Sequence, residues 1–321
     1  MTDTVKSNLR GAAFALAAFG IFATHDVIVK YLGAIYAPFQ IVFFSVLFGF
    51  PLATLMLMRD ATSGTLRPVH PWWTALRTCA IVITAACAFY AFSALPLAQV
   101  YAILFAAPLL ITVLSIPILG ERVGAHRWAA VMLGLIGVLV VLRPGTTSLG
   151  LGHLAAIVAA VGSALASVVV RKIGRDERSA VLMLYPMVAN FAAMAMLMPG
   201  SYLPMPIEHL GLVGLISAMG FIAGLCMIAA YRAGDAAIVA PMQYSQMLWA
   251  AVFGWVFFSE AGDLWTWTGA GIVIASGLYI VLREGLAGTS RTTPVLTSKN
   301  RFDSGTLPRF SLFQRVRARS K

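Results

Sequence analysis

The 321-residue chain is 60% hydrophobic and only 11% charged, where a soluble globular chain carries roughly 25% charged residues. A soluble fold has no interior able to hide that much apolar surface, and apolar runs of about 20 residues, enough to cross ~30 Å of hydrocarbon, recur from end to end. The net charge of +11 is not a nucleic-acid footprint, because the basic residues lie between the apolar runs and on the tail instead of on a soluble domain.

Ten transmembrane spans are expected, at 11–32, 37–58, 72–94, 97–119, 127–142, 151–170, 180–198, 209–231, 236–258 and 264–282. The first contains His25 and Asp26 and ends at Lys30 without an A-x-A-like cleavage site, so it reads as a retained helix and not a signal peptide. Asp26 and Lys30 stand four apart, one turn up the same face, and are expected to form a carboxylate–ammonium pair. A charge at a helix centre costs at least ~2.5–3.5 kcal/mol. The pair therefore either fixes this helix or takes part in substrate binding or outer gating. His25 projects ~100° away from Asp26 and need not join it.

In the third span, Arg77 either snorkels to the cytoplasmic interface or joins Thr84, seven residues on, in a cavity-lining stripe. In the fourth, Tyr101, Phe105, Pro108, Thr112 and Ser115 form a second stripe, which is either packing or an aromatic wall for a flat heteroaromatic substrate. Gln99 reads as a packing or interface group. The fifth span is barely long enough to cross, but it opens with Trp128, an interface anchor, and closes at Arg143-Pro144-Gly145. Cys79, Cys87 and Cys226 sit inside apolar segments at spacings of no zinc or disulfide framework.

Asn190 in the seventh span reads as packing, and Gly220 and Gly224 in the eighth as a close helix approach. The ninth carries Pro241, Gln243, Tyr244, Ser245, Gln246 and Trp249, the densest uncharged polar cluster of any span. Interhelical amide hydrogen bonds contribute only ~0.6 kcal/mol on average in membranes. Substrate binding is thus the stronger reading for Gln243, Tyr244, Gln246 and Trp249. Prolines inside spans, Pro108, Pro186 and Pro241, imply kinks that line a protein interior.

Loops rich in Lys and Arg stay in the cytoplasm. Lys6, Arg10, Arg59, Arg67, Arg122, Arg127, Arg171, Lys172, Arg175, Arg178 and Arg232 fall on the side of the N-terminus, with only Lys30 and Arg143 opposite. Both termini are therefore expected inside. Residues 289–321 form a Ser/Thr/Arg-rich tail, expected to be disordered and cytoplasmic. Basic residues from Arg283 to Lys321 would each add ~1 kcal/mol of attraction to anionic lipid when close to the surface.

The chain also aligns with itself. Residues from Ala94 to Val141 match those from Ala233 to Ile280 at an offset of 139, which superposes Glu121 on Glu260 and Trp128 on Trp267. An offset of 141 matches Val29-Lys30-Tyr31-Leu32-Gly33 with Val170-Arg171-Lys172-Ile173-Gly174. Two units of five spans result, 1–146 and 147–288. Because five is odd, the second enters the membrane inverted, and the substrate site belongs near the midplane between them. Equivalence of Glu121 and Glu260 suggests a structural role, each carboxylate capping the next helix and positioning Trp128 or Trp267, with direct substrate contact as the alternative.

On these residues the chain resembles the drug/metabolite transporter superfamily, specifically the EamA-type permeases with two five-helix repeats. The resemblance covers roughly residues 8–284 and rests on Asp26-Val27-Ile28-Val29-Lys30-Tyr31-Leu32-Gly33, Gly120-Glu121-Arg122 and Ser259-Glu260. Within the superfamily the helix-1 ending is similar to that of the riboflavin and S-adenosylmethionine permease groups. The long basic tail is not part of the family pattern. The resemblance implies an all-α integral membrane protein of a bacterial inner membrane. Its implied function is to move riboflavin, or a similar heteroaromatic metabolite such as S-adenosylmethionine, by alternating access.

An enzyme would need a constellation such as H-E-x-x-H or G-x-S-x-G, and an ATP-driven pump a glycine-rich phosphate loop; the sequence carries none. Neither a cofactor nor a metal is expected. The alternatives kept are an exporter of amino acids or drugs with the same fold, and a membrane sensor or scaffold. The expected partners are a small organic metabolite and membrane lipids, with a homodimer left open and nucleic acid excluded.

Overall fold

The computed structural model describes residues 3–58, 66–120, 123–143, 149–174, 176–233, 239–260 and 262–286. Among them every regular element is helical. The helices are α1 (Asp3–Gly33), α2 (Pro38–Met58), α3 (Pro71–Ala94), α4 (Leu97–Leu104), α5 (Ala107–Leu119), α6 (Ala125–Leu142), α7 (Leu151–Ile173), α8 (Ser179–Leu197) and α9 (Ile207–Ala233). A 3-10 turn (Ala240–Tyr244) then leads into α10 (Ser245–Phe258), and α11 (Leu264–Leu286) follows. The basic tail and Glu121 lie outside the described residues.

Proline and left-handed residues set several of the ends. Pro38 and Pro71 open α2 and α3, where a missing N–H costs nothing. Gly120 (φ 70°), Arg143 (φ 44°) and Ser259 (φ 54°) close α5, α6 and α10. Two expected spans are interrupted. Pro108 cannot donate to the carbonyl of Leu104 and its ring crowds that carbonyl, so α4 stops there and the chain restarts at Ala107. In the ninth span the residues around Pro241 form the 3-10 turn. Pro186, by contrast, sits within a continuous α8.

Among the described residues, seven segments are long and apolar enough to cross a bilayer: Leu9–Gly33, Pro38–Leu55, Pro71–Ala94, Leu97–Leu119, Leu151–Ile173, Ala180–Leu197 and Ile207–Ala230. The apolar stretch Trp128–Leu142 of α6 is shorter. Outward faces are apolar too. Leu133, Ile136 and Leu139 form an exposed stripe on α6, and Trp255, Val256 and Phe257 stand exposed on α10. Such surface is stable against lipid tails and costly against water.

The helices pack in related sets. α1 lies on α9, and α3 on α7; these are the first and third helices of opposite halves. α2 packs on α8, α6 on α11, and α4 on α10, each helix against its counterpart. The α6–α11 crossing brings two backbones close together. A Cβ on Gly137 would stand 2.8 Å from the Gly269 carbonyl oxygen, and one on Gly269 would stand 2.6 Å from that of Gly137. Only glycine permits this approach, and the Ser276 hydroxyl donates to the Ala130 carbonyl beside it.

Candidate functional site

Where the two halves face each other, α1, α2 and α3 enclose a cavity of about 290 Å³ with α7, α8 and α9. Much of its wall is apolar, with Phe22, Phe89, Phe92 and Phe221 contributing rings. Asp26 and His25 supply the titratable groups among the described lining residues, which include neither Lys nor Arg. Of the expected site residues, Asp26 and Thr84 border the cavity. Gly220 borders it as well; a Cβ there would meet nothing within 4 Å. That position faces open space, and the close helix approach expected of it is not made there.

Asp26 is 2% exposed. Its Oδ2 accepts a short hydrogen bond from the Tyr101 hydroxyl on α4, and its Oδ1 accepts one from His25 Nδ1 at 2.8 Å. His25 therefore does join it. The expected pairing with Lys30 is not formed. Lys30 Nζ instead pairs with Glu260 Oε1 at 2.8 Å, donates to the Leu95 carbonyl at 2.5 Å and sits 5.2 Å above the Phe258 ring. The reason lies in the helix ends around it. Leu95 caps the C-terminus of α3, where unpaired carbonyls attract a cation, and a carboxylate arrives from the end of α10.

Glu260 does cap a helix N-terminus, though a different one from that expected. Its Oε2 accepts the Leu97 N–H at 3.1 Å, the first amide of α4 in the other half. The next helix, α11, is capped by Asp263, whose Oδ1 accepts the Thr266 N–H at 3.0 Å. Trp267 is held by its own Nε1 donating to the Gly262 carbonyl at 3.0 Å. Asp263 also forms an ion pair with Arg143, at the closing residue of α6. Burial pushes the Asp263 carboxyl up, but the Thr266 hydrogen bonds and the Arg143 guanidinium outweigh it and hold the group below its ordinary range. Trp128, the repeat counterpart of Trp267, is exposed.

The remaining expected residues are not among those lining the cavity. Arg77 is buried, and its Nη1 donates to the Leu182 carbonyl on α8 at 2.6 Å. It does not snorkel. Tyr101, Phe105 and Tyr244 form a continuous aromatic contact, with the last two edge-to-face at 5.3 Å. Gln243, Tyr244 and Gln246 are buried away from the cavity, and both amide atoms of Gln246 have no hydrogen-bond partner. Trp249 packs on Phe253 and against Gly20 of α1, partly exposed.

Sequence reasoning gave no site role to Ser45, Asn190 or Ser217, which all border the cavity. Asn190 had a signal, a lone amide in the apolar α8. It also missed the contacts that tie the α1–α2 corner to the start of α9 and the segment before it. Tyr36 OH bonds His209 Nδ1 at 2.7 Å, and Gln40 exchanges two hydrogen bonds with the Leu203 backbone.

Comparison with known proteins gives a consistent result. The EamA-like transporter family matches the chain twice, over residues 9–143 and 150–282. The chain is similar to an S-adenosylmethionine uptake transporter of Rickettsia prowazekii, 25% identical over 91% of this chain and 99% of that one. A riboflavin transporter of Brucella anthropi is 28% identical over 78% of this chain and 90% of its own. A pseudopaline exporter of Pseudomonas aeruginosa is 26% identical over 87% and 95%. One protein of known crystal structure superposes with a TM-score of 0.58 at 20% identity, covering 89% of this chain and 99% of its own, which bears on the fold alone.

Proposed function

We propose that this chain, which belongs to the EamA-like transporter family, is a secondary transporter that carries a small organic metabolite across a bacterial inner membrane by alternating access. Riboflavin, or a similar heteroaromatic metabolite such as S-adenosylmethionine, is the leading substrate class. The observation that carries this reading is the cavity of about 290 Å³ set between the halves, with aromatic walls and a buried carboxylate. Ligand pockets are lined in this way, mostly apolar with a few placed polar groups, at volumes from ~300 Å³ upward.

Ten spans with both termini in the cytoplasm is the topology that the Lys/Arg asymmetry supports. Under it, the Lys30–Glu260 and Tyr36–His209 contacts join the helices at their outer ends. Arg77 on Leu182, and the Glu177 carboxylate accepting the His70 N–H, join them at their inner ends. Opening one set while the other holds would expose the cavity to one side at a time.

Proteoliposomes containing the purified chain test the reading. Preloading with S-adenosylmethionine or riboflavin should drive uptake of the same radiolabelled compound by counterflow. Folded protein that gives no counterflow with either compound, nor with amino acids or drugs, would return the chain to the sensor or scaffold alternative. Export is the second reading within the transporter class, favoured by the pseudopaline exporter relative. Depletion or accumulation of substrate in intact cells separates it from uptake.

A further inference from the structure

Asp26 commits both oxygens to neighbouring side chains. The Tyr101 hydroxyl donates to Oδ2, and His25 donates its Nδ1–H to Oδ1 at 2.8 Å. Which imidazole nitrogen carries the proton is set by the hydrogen bond the other ring atoms make. A carboxylate accepting at Nδ1 therefore leaves Nε2 as the unprotonated nitrogen of the neutral ring. Phe89 of α3 packs edge-on against that ring, with centroids 6.3 Å apart, and limits its rotation.

His25 lines the cavity, and its side chain is 16% exposed. Its Nε2 bonds none of the described residues, yet it is not among the polar atoms sealed inside the fold. The cavity thus receives an acceptor lone pair, flanked by Phe89 and by Phe22 one turn away on α1. The elements packed on α1 are α2, α3, α9, α10 and the 3-10 turn. Of these, α2 and α10 carry no titratable side chain. Cys79, Cys87, Tyr90 and Arg77 come from α3, Arg77 donating to Leu182. Glu208, Cys226 and His209 come from α9, His209 bonding Tyr36. Tyr244 of the 3-10 turn packs on Phe105, and Lys30 of α1 pairs with Glu260.

Resting on the transporter reading above, we infer that His25 is a specificity-determining residue of the cavity. When the imidazole is neutral, Nε2 accepts an N–H on the edge of a flat substrate ring lying between the phenylalanines. A proton on Nε2 excludes that bond. Asp26 and Tyr101 act through His25 as positioning residues, holding the tautomer that turns the lone pair to the substrate. Proton and substrate compete for one site, so affinity falls on acidification through the range in which histidine titrates, about pH 8 to 5.

The test uses the full chain in lipid nanodiscs and equilibrium binding of riboflavin and N3-methylriboflavin. Both are flat and keep one charge state over this range; they differ in that the ring imide carries N–H in the first and N–CH3 in the second. At about pH 8, wild type should bind riboflavin about fivefold more tightly than the methylated probe, the effect of one hydrogen bond. At about pH 5.5, riboflavin should weaken to the level of the methylated probe, whose own affinity changes less than about twofold. His25→Gln offers an acceptor that does not titrate, so it should bind riboflavin with less than about twofold change between the two pH values. The methylated probe reports any general effect of acid on the protein, and the wild-type comparison stands even if the variant fails to fold.

Equal binding of the two probes at pH 8, the same pH response for both, a pH response retained in folded His25→Gln, or no saturable riboflavin binding would each overturn the inference. Its failure is distinct from failure of the transporter reading. Counterflow of riboflavin with pH-independent binding would remove the role of His25 and keep transport, while the expected binding pattern without flux would do the reverse.

Discussion

Lys30, on the last turn of α1, and Glu260, just past α10, meet at 2.8 Å and so join the first helix of one half to the fourth span of the other. Glu260→Ala leaves the Lys30 ammonium, 10% exposed, without its counter-charge and the Leu97 N–H without its acceptor. Removing one end of a buried pair costs ~3–5 kcal/mol, and the 22% exposure of Glu260 puts the loss at the lower end. Thermal unfolding in detergent measures it. In double-mutant cycles, Lys30 and Glu260 should show coupling of ~1 kcal/mol or more, while Asp26 and Lys30 should come within ~0.5 kcal/mol of additivity. Stronger coupling within the Asp26–Lys30 cycle would contradict the partners described above.

Tyr101→Phe keeps the ring contacts with Phe92 and Phe105 and removes only the hydroxyl that donates to Asp26. A hydrogen bond to a charged group contributes ~1.5–3 kcal/mol. A melting temperature equal to that of wild type would show that Asp26 does not depend on Tyr101.

Gly269→Ala places a methyl 2.6 Å from both the Gly137 carbonyl and the Val141 side chain, so α6 and α11 must separate. Overpacking of this kind costs ~1–3 kcal/mol. Gly271→Ala, on the same helix with nothing within 4 Å, should leave stability unchanged or raise it. The pair of variants, compared by thermal unfolding, isolates the crossing from helix propensity.

The Asp263 carboxyl is held below its ordinary value of 3.8 in the folded chain. A group with a depressed folded pKa adds stability above its unfolded pKa, and that contribution fades as pH falls through the lower folded value. The melting-temperature gap between wild type and Asp263→Asn should therefore be constant from pH 7 to about pH 5 and shrink below about pH 4. A gap that widens on acidification would reverse the sign.

Single-cysteine labelling checks the topology. Cysteine at Ser201 should react with an impermeant thiol reagent in intact cells, and cysteine at the exposed Asp176 only after permeabilisation. The opposite pattern would invert the chain in the membrane.

The helices were legible because their causes are local. Apolar length marked α2, α3 and α7 to within a few residues, and Pro38, Pro71 and Pro96 act on their immediate neighbours. The identity of each charge's partner was not legible. Asp26 and Lys30 satisfy the four-residue rule, but that rule speaks only of one helix face, while their partners are the adjacent His25 and groups arriving from α4, the end of α3 and the end of α10. The cap on Glu260 was recognisable as a type of contact; that it serves α4 depends on how the halves pack. Asn190 was discounted because a lone amide in an apolar helix looks the same in sequence whether it faces a neighbour or a cavity.

The Glu260–Leu97 cap spans 163 residues of chain. A ribosome that has released α1, α3 and α4 into the bilayer has delivered the Leu97 amide and the Lys30 ammonium long before it makes the carboxylate that serves both. Until then the early helices hold a lone charge and an open helix end near the water boundary, where solvent can substitute. The carboxylate that completes both contacts is therefore synthesised near the end of the second half, so two ends of the first half are satisfied only from the other.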